Sequence, residues 1–140
     1  MTSPPGVPLC VMLIDDSEAD RKLFREILKA IDASIDYIFF SNAPAALAYL
    51  SQPDAKKPDY IFLDVNMPGM DGIECLARLK KINDVAHIPV YMYSTGHPKS
   101  YAETAMLLGA AGCYEKTINF EASIPQLSSL LKGAGINRTG

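Results

Sequence analysis

Five side chains of types that handle phosphate groups follow apolar segments of this chain. Two adjacent carboxylates, Asp15 and Asp16, come after the run LCVMLI, and Asp64 comes after YIFL. The hydroxyl of Ser94 and the ammonium of Lys116 follow later apolar segments. Three carboxylates in one small site repel each other unless a cation lies among them, and such a hard, oxygen-only cluster suits Mg²⁺. The side-chain types therefore indicate a magnesium-dependent phosphoryl-transfer site, provided that the fold brings them together.

An aspartate in such a site has a chemical role of its own. Its carboxylate can attack phosphorus and take the phosphoryl group, while the metal and a lysine neutralise the charge on the equatorial oxygens. Taken one at a time, the residues have simpler explanations. Asp15 and Asp16 would suit the first turn of a helix, Asp64 a turn, and Lys116 a solvated surface. Their joint placement, together with a hydroxyl donor at Ser94, favours phosphoryl transfer.

The segments that must position these residues alternate between strand and helix patterns. Short continuous apolar runs are typical of strands buried on both faces, and the segments between them repeat apolar residues at helical spacing. Ser17, Asn42 and Asn119 stand where helices need N-caps. Strands joined through helices imply right-handed crossovers, a parallel sheet with helices on both faces, and a binding site beyond the carboxyl ends of the strands. We expect strands at 9–14, 35–40, 60–64, 90–94 and 112–115, and helices at 19–31, 43–50, 72–82, 98–108 and 120–131.

Length and composition limit the function classes. The 140 residues, 49% of them hydrophobic, are sufficient for one core of ordinary size. A net charge of -3 with interspersed acids and bases argues against direct nucleic-acid binding. No apolar run is long enough for membrane insertion and the first residues do not resemble a secretory signal, so we expect a cytoplasmic protein. Cys10, Cys75 and Cys113 lack metal-site spacing and are expected as reduced core thiols, and His87 and His97 as surface or capping residues.

The segment LDVNMPGMDG around Asp64, the acidic pair, the hydroxyl and the lysine together resemble the response-regulator receiver domain, the phospho-acceptor half of two-component signalling. Ser94 lies 30 residues after Asp64 and Lys116 lies 22 residues after Ser94, which fits that family. The chain looks most like the free-standing chemotaxis-type members. The resemblance implies a flavodoxin-like, doubly wound, five-stranded parallel sheet of order 2-1-3-4-5 with helices on both faces. We expect one receiver domain at residues 7–132, with flexible termini at 1–6 and 133–140.

The resemblance also implies the roles of the metal and the acceptor. Asp64 matches the family's phosphorylated aspartate. Asp16 would coordinate Mg²⁺ directly and Asp15 mainly through water. Asn66, two residues after the acceptor, would give its backbone carbonyl to the same ion, which Asp64 also contacts.

Ser94 and Lys116 match the two positions at which the family senses the phosphoryl group. The resemblance implies that the phosphoryl donor is a histidine kinase or a phosphotransfer protein, and that the chain is a signalling phospho-acceptor rather than an enzyme with a separate substrate. Phosphorylation would shift a pre-existing conformational equilibrium. The surface of the fourth helix, fifth strand and fifth helix, at residues 98–131, would then bind a downstream protein.

Two positions depart from the family pattern. Lys116 is followed by Thr117, where most members have a proline in a cis peptide. A cis bond before a residue other than proline costs about 2.5 to 4 kcal/mol, so we expect a trans peptide. The aromatic switch position, three residues before the lysine, holds Cys113, and the aromatic stands one place later at Tyr114. If Tyr114 faces the opposite side of the strand, the usual swing of the ring towards the hydroxyl residue is not available.

Other functions on a similar fold remain open at the level of sequence. A haloacid-dehalogenase-like phosphatase also forms an aspartyl phosphate, but it needs a second aspartate where this chain has Asn66. Flavin binding would need a Ser/Thr/Gly-rich phosphate loop after the first strand, and the chain has none there. A pseudo-receiver, which recognises a partner without phosphorylation, is the main alternative because of the two departures.

Overall fold

Five strands and five helices alternate along the chain, in agreement with the sequence pattern. A computed structural model of the protein describes residues 8–139. The expected segment at residues 1–6 lies outside the described residues. The strands are β1 (Cys10–Ile14), β2 (Asp36–Phe40), β3 (Tyr60–Leu63), β4 (Val90–Ser94) and β5 (Gly112–Glu115), and the helices are α1 (Glu18–Ile31), α2 (Ala43–Leu50), α3 (Gly72–Leu79), α4 (Ala102–Leu107) and α5 (Phe120–Thr139).

The strands form one parallel sheet in the order β2-β1-β3-β4-β5, which confirms the predicted topology. Ile14, the last residue of β1, lies opposite Phe40 of β2 and Leu63 of β3. The carboxyl ends of these strands are therefore level with one another. The strand order reverses between β1 and β3, where open sheets of this kind bind their ligands.

Two apolar cores cover the faces of the sheet, because alternate residues of a strand point in opposite directions. Val11 and Leu13 of β1 enter the core under α1 and α5, and Met12 and Ile14 enter the core under α2, α3 and α4. We call these the α1/α5 core and the α2/α3/α4 core. The helices contribute Phe24, Ile27, Leu28, Leu127 and Leu131 to the first, and Ala43, Ala46, Leu50, Cys75, Leu76, Leu79 and Ala105 to the second.

Side-chain caps begin the helices where the sequence predicts them. The Ser17 hydroxyl accepts a hydrogen bond from the backbone N–H of Asp20 at 3.1 Å, and the Asn42 side chain accepts one from Ala45 at 2.8 Å. Asn119 caps α5 in the same way. These bonds satisfy N–H groups that have no partner within the first turn of a helix. The helices therefore begin directly after the strands and loops that carry the candidate site.

Three helices differ from the sequence prediction. The segment predicted as one helix at 98–108 is divided into a 3-10 turn, Pro98–Ser100, and α4, because Tyr101 between them is buried with an extended φ of -138°. His97 caps the 3-10 turn by accepting a hydrogen bond from Lys99, which confirms its expected capping role. Helix α3 ends at Leu79 instead of continuing to residue 82, and α5 continues to Thr139 instead of ending at 131.

Cys10, Cys75 and Cys113 are free cysteines in the structure. Cys10 and Cys75 are buried, and their burial raises the pKa of the Cys10 thiol to about 11 and that of Cys75 to about 12. Both therefore stay protonated near neutral pH and act as small core residues. Cys113 is only partly buried. Among residues 8–139, no helix combines the length and the apolar character that a membrane span requires.

Gly72 allows the backbone of Asp64 to lie against the start of α3. A Cβ atom at this position would lie 2.1 Å from the carbonyl oxygen of Asp64 and 2.8 Å from the Cα of Val65. The Gly72 N–H also donates a 2.8 Å hydrogen bond to the Val65 carbonyl, so this close approach is held in place. Gly69 in the same loop has a φ of 78°, which only glycine adopts readily. The loop after β3 therefore depends on both glycines.

We predict that Gly72→Ala lowers the free energy of unfolding by at least about 2 kcal/mol, because the new methyl group collides with backbone rather than with a flexible side chain. Urea unfolding followed by circular dichroism measures the change. Gly96→Ala is the matched control, since its Cβ would meet Asn66 Nδ2 at an ordinary 3.7 Å. Equal effects of the two substitutions would contradict the role assigned to Gly72.

Candidate functional site

The five side chains selected from the sequence lie at the carboxyl edge of the sheet. Asp15 and Asp64 follow β1 and β3, Ser94 ends β4 and Lys116 follows β5. Asp15 and Ser94 are fully buried, and Asp64 is only 6% exposed. Asp16 is exposed at the mouth of the site. Buried carboxylates need a compensating positive charge, so Asp15 and Asp64 require a cationic side chain or a metal ion nearby.

Backbone hydrogen bonds continue the strand ladders into the site. The N–H of Asp64 donates to the Ile14 carbonyl at 3.0 Å, and the N–H of Lys116 donates to the Ser94 carbonyl at 2.8 Å. Asp15 is held in the same way by the carbonyl of Phe40, at 3.0 Å. The site residues are therefore fixed by the sheet itself rather than by mobile loops.

Strand alternation directs Asp15 and Asp64 towards α1. Leu13 and Phe62, two residues before them, belong to the α1/α5 core, and side chains two apart along a strand share a face. Lys116 stands two residues after Tyr114, which packs against the same core. The two carboxylates and the ammonium therefore converge on one side of the sheet edge, beneath the start of α1.

Asp15, Asp16 and Asp64 form a cluster that fits a divalent cation. One carboxylate oxygen from each lies within 4.8 Å of the others. Oxygen atoms are the ligands that hard divalent cations prefer, and three carboxylates leave room for water or phosphate oxygens in the remaining positions. The Asp15 carboxylate is also oriented by the backbone N–H of Ser17, which donates to Oδ1 at 2.9 Å. The donor set and its spacing therefore suit a metal site.

Lys116 lies among three carboxylates. Its Nζ atom is 2.5 Å from Asp15 Oδ2, 3.0 Å from Asp20 Oδ2 and 3.8 Å from Asp64 Oδ1, and its side chain is only 9% exposed. One buried ammonium thus offsets part of the charge of several acids. Because the acids outnumber the cation, the site keeps an excess of negative charge that a bound divalent cation would neutralise.

Asp20 also contacts Lys116, although no sequence pattern indicates a role for it in the site. Asp20 lies in the first turn of α1, where an acid is also explained by the helix dipole alone. The topology provides an indication of this contact. Because α1 starts directly after β1, its first turn lies over the carboxyl ends of the strands. The contact joins residues 96 positions apart in the sequence.

Burial and charge shift the protonation of the site. Burial raises the pKa of Asp64 above its usual range, and the nearby Asp15 adds to this effect while Lys116 opposes it. Burial likewise raises the pKa of Asp15, against the hydrogen bonds from Lys116 and Ser17. For Lys116, burial by itself lowers the pKa, but the hydrogen bonds and charges of Asp15 and Asp20, with the charge of Asp64, raise it. The ammonium therefore stays charged while the carboxylates are costly to ionise.

The Ser94 hydroxyl is buried and makes no hydrogen bond of ordinary geometry to the residues that the structure describes. It lies close enough to Asp64 to lower the pKa of that carboxyl. A buried hydroxyl without a partner costs free energy, and a ligand oxygen beside Asp64 would satisfy it. Ser94 is therefore suitably located to donate to a group bound on Asp64.

Asn66 and Thr95 flank the mouth of the site. Both are exposed, and the Asn66 side chain lies near Gly96, which follows Thr95 in the chain. Thr95 lines the same recess as Asp20 and Lys116. The two side chains therefore border the approach to Asp64 from solvent.

The structure shows the conformation at the two positions near Lys116 that depart from the family pattern. No cis peptide bond occurs among residues 8–139, so the Lys116–Thr117 bond is trans, as predicted. Cys113 packs against the α2/α3/α4 core and Tyr114 against the α1/α5 core, where its ring lies 5.7 Å from that of Tyr91. Tyr114 therefore lies on the opposite face of β5 from Cys113, which is the arrangement in which the usual swing of the ring towards the hydroxyl residue is not available.

We predict that Asp64→Asn raises the free energy of unfolding of the metal-free protein by about 1 kcal/mol at neutral pH, because it removes a buried charge while Lys116 keeps two other carboxylates. Since the pKa of Asp64 is raised in the folded state, ionisation costs stability only above the acidic range. The advantage of the variant should thus be largest at neutral pH and fade as the pH falls through that raised pKa.

Thermal unfolding at several pH values, with and without Mg²⁺, measures this effect. Asp54→Asn is the control, because Asp54 is an exposed acid in the loop that enters the opposite end of β3. Added Mg²⁺ should stabilise the wild type more than Asp64→Asn. If Asp64→Asn were less stable than the wild type at neutral pH, the negative charge of Asp64 would stabilise the metal-free protein, which contradicts this prediction.

Several relatives share this fold. The crystal structure of Mn²⁺-bound response regulator Rcp1 has a TM-score of 0.77 at 29% identity, covering 88% of this chain and 91% of that chain. The structure of the phosphorylated cyanobacterial phytochrome response regulator RcpA has a TM-score of 0.78 at 27% identity, covering 89% and 91%. The chemotaxis protein CheY4 of Vibrio cholerae has a TM-score of 0.73 at 25% identity, covering 87% and 98%.

The sequence gives the same result. Response regulator Rcp1 of Synechocystis is 35% identical over 101 residues, 69% of this chain and 69% of that protein. The polar-differentiation response regulator DivK of Brucella anthropi is 28% identical over 128 residues, covering 91% of this chain and all of DivK. The family model of the response regulator receiver domain matches residues 11–127. The chain therefore belongs to the response regulator receiver domain family of two-component signalling.

Proposed function

We propose that this chain accepts a phosphoryl group on Asp64 with the help of Mg²⁺ and passes the signal to a protein partner. The observation that carries the proposal is the position of the Asp64 carboxylate: it belongs to the acidic cluster and lies 3.8 Å from the Lys116 ammonium. Nucleophile, metal ligands and a cation for the phosphoryl oxygens are then adjacent. Receiver domains generally interact with histidine kinases or phosphotransfer proteins, and we propose such a protein as the donor.

Asp64 is the nucleophile in this mechanism. An oxygen of its carboxylate attacks phosphorus, and the bond between phosphorus and the donor nitrogen breaks as the new aspartyl-phosphate bond forms. The electron pair of the broken bond stays with the donor imidazole. The buried position of Asp64 at a strand end holds the attacking oxygen in place while leaving one side open to the donor.

The remaining residues stabilise charge. Asp15 and Asp16, with the backbone carbonyl of Asn66, would hold Mg²⁺, which when bound neutralises phosphoryl oxygens and orients them for in-line transfer. The Lys116 ammonium would pair with one equatorial oxygen, and the Ser94 hydroxyl, which makes no hydrogen bond of ordinary geometry within the described part of the chain, would donate one to another. The buried Ser94 hydroxyl would thus gain a partner in the phosphorylated state.

Exposed apolar side chains on two surfaces support the proposal that this chain contacts other proteins. Leu107 of α4 is 83% exposed and lies next to Met106, which is also exposed, on the surface proposed to contact the downstream partner. Ile118 is exposed in the segment between β5 and α5, and Phe120 is exposed at the first position of α5, shortly after Lys116, where a phosphoryl donor would approach. Isolated exposed apolar residues are ordinary, but pairs beside a functional site favour protein contacts.

A pseudo-receiver that binds a partner without phosphorylation is the alternative. The opposite orientations of Cys113 and Tyr114 favour it, since no aromatic side chain of β5 faces the switch position. The complete acceptor site favours phosphorylation instead. The two functions differ in one observable property, which is a covalent phosphoryl group on Asp64.

We expect incubation with acetyl phosphate and Mg²⁺ to add one phosphoryl group to the wild type, measured by intact mass, because the small donor needs no docking surface. Asp64→Asn should gain none, and omission of Mg²⁺ should greatly reduce uptake by the wild type. Asp54→Asn should behave as the wild type does. Absence of uptake under every condition, together with absence of Mg²⁺ binding, would favour the pseudo-receiver.

We also propose that Thr95 and Asn66 limit the access of water to phosphorylated Asp64. Thr95→Ala should therefore shorten the lifetime of the phosphorylated protein by about threefold, equal to about 0.7 kcal/mol in the barrier for hydrolysis. The decay of the phosphorylated mass after removal of donor measures this rate. Thr104→Ala on exposed α4 is the control. An unchanged rate in Thr95→Ala would eliminate Thr95 from this role.

A further inference from the structure

We propose that Asp20 is a positioning residue that gives the Lys116 ammonium a partner outside the acidic cluster, so that a divalent cation can bind the cluster without leaving the buried lysine unpaired. The inference deepens the proposed function, since it rests on the metal site at Asp15, Asp16 and Asp64. It assigns a purpose to a carboxylate that belongs to neither the acceptor nor the metal ligands.

Lys116 and a divalent cation need the same carboxylates. The ammonium hydrogen-bonds to Asp15 at 2.5 Å and lies 3.8 Å from Asp64, and both acids belong to the cluster that fits a cation. Two positive groups that share one carboxylate repel each other, and each lowers the affinity of the other for it. In the absence of another partner, Lys116 would therefore oppose metal binding.

Asp20 offers Lys116 a partner that the cation does not use. Its Oδ2 atom lies 3.0 Å from Lys116 Nζ, but Asp20 is outside the cluster formed by the other three acids. The Asp20 backbone N–H is bonded to the Ser17 hydroxyl, which holds this turn of α1 at the edge of the sheet. When a cation binds the cluster, Lys116 can keep its hydrogen bond to Asp20 instead of becoming a buried ammonium without a partner.

The exposure of Asp20 suits this role. Its side chain is 37% exposed, whereas that of Asp15 is fully buried. Asp20 therefore lies at the rim of the site, where it contacts Lys116 without entering the cluster. Removing its charge would confine Lys116 to the carboxylates of the cluster and strengthen the competition with the cation.

The test is a titration with Mn²⁺ alone, in which electron paramagnetic resonance measures the free ion. Asp20→Asn, which keeps the side-chain shape, should weaken Mn²⁺ binding by about fivefold, the size expected for a partly exposed charged hydrogen bond. Glu18→Gln is the matched control. Glu18 is also an acid in the first turn of α1, but it pairs with Lys22 in solvent. It should change the affinity by less than about twofold.

The same substitutions made in a Lys116→Gln protein show whether Asp20 affects Mn²⁺ binding through Lys116 or acts directly on the metal. In Lys116→Gln, the competing ammonium is absent, so adding Asp20→Asn should have no larger effect than adding Glu18→Gln. A fivefold loss that persists there would mean that Asp20 acts on the cation itself, which overturns the proposal. Thermal unfolding of each variant verifies that it is folded before titration.

The outcomes also separate this inference from the proposed function. If the wild type binds Mn²⁺ and accepts phosphoryl groups while Asp20→Asn and Glu18→Gln bind equally well, only the role of Asp20 is wrong. Tighter Mn²⁺ binding by Asp20→Asn would likewise overturn it. If the wild type does not bind Mn²⁺, the metal site itself is wrong and the inference fails with it.

Discussion

The ion pairs of Lys116 with Asp15, Asp20 and Asp64 are the interactions on which the site depends. A buried ammonium is stable only when hydrogen-bonded carboxylates surround it, and buried carboxylates need a cation in return. Here the acids outnumber the base, so the metal-free state is incompletely neutralised. That excess of negative charge fits the proposed binding of a cation and, with the cation, of a phosphoryl group.

The rest of the fold keeps this unfavourable charge distribution in place. The central strands are buried on both faces, and ladder hydrogen bonds extend into the site at Asp15, Asp64 and Lys116. A packed core of this kind offsets the cost of the buried charges and prevents the carboxylates from moving apart. Gly72 serves the same end, since it lets α3 begin against the Asp64 backbone. The proposed function therefore depends also on residues that would not contact a phosphoryl group.

The route from the site to the surface differs from the usual pattern of the family. Tyr114 is part of the α1/α5 core, while Cys113 faces the α2/α3/α4 core beside α4. Tyr101, at the start of α4, is buried in the latter core, and its hydroxyl has no hydrogen-bond partner among the described residues. An aromatic side chain is thus present on that face, but it comes from the helix and not from the strand. Any coupling of Asp64 to α4 must therefore use contacts other than those of an aromatic side chain on β5.

The sequence by itself determined the order of strands and helices, the parallel sheet and the five side chains at its edge, because local periodicity and the ends of apolar runs are properties of neighbouring residues. It also predicted the trans peptide after Lys116. Only the tertiary structure decided that Asp20 meets Lys116, that Tyr101 divides the fourth helical segment and that the Ser94 hydroxyl is buried beside Asp64. These features depend on how a helix lies over the sheet edge, and contacts between residues 96 positions apart leave no periodic trace in the sequence.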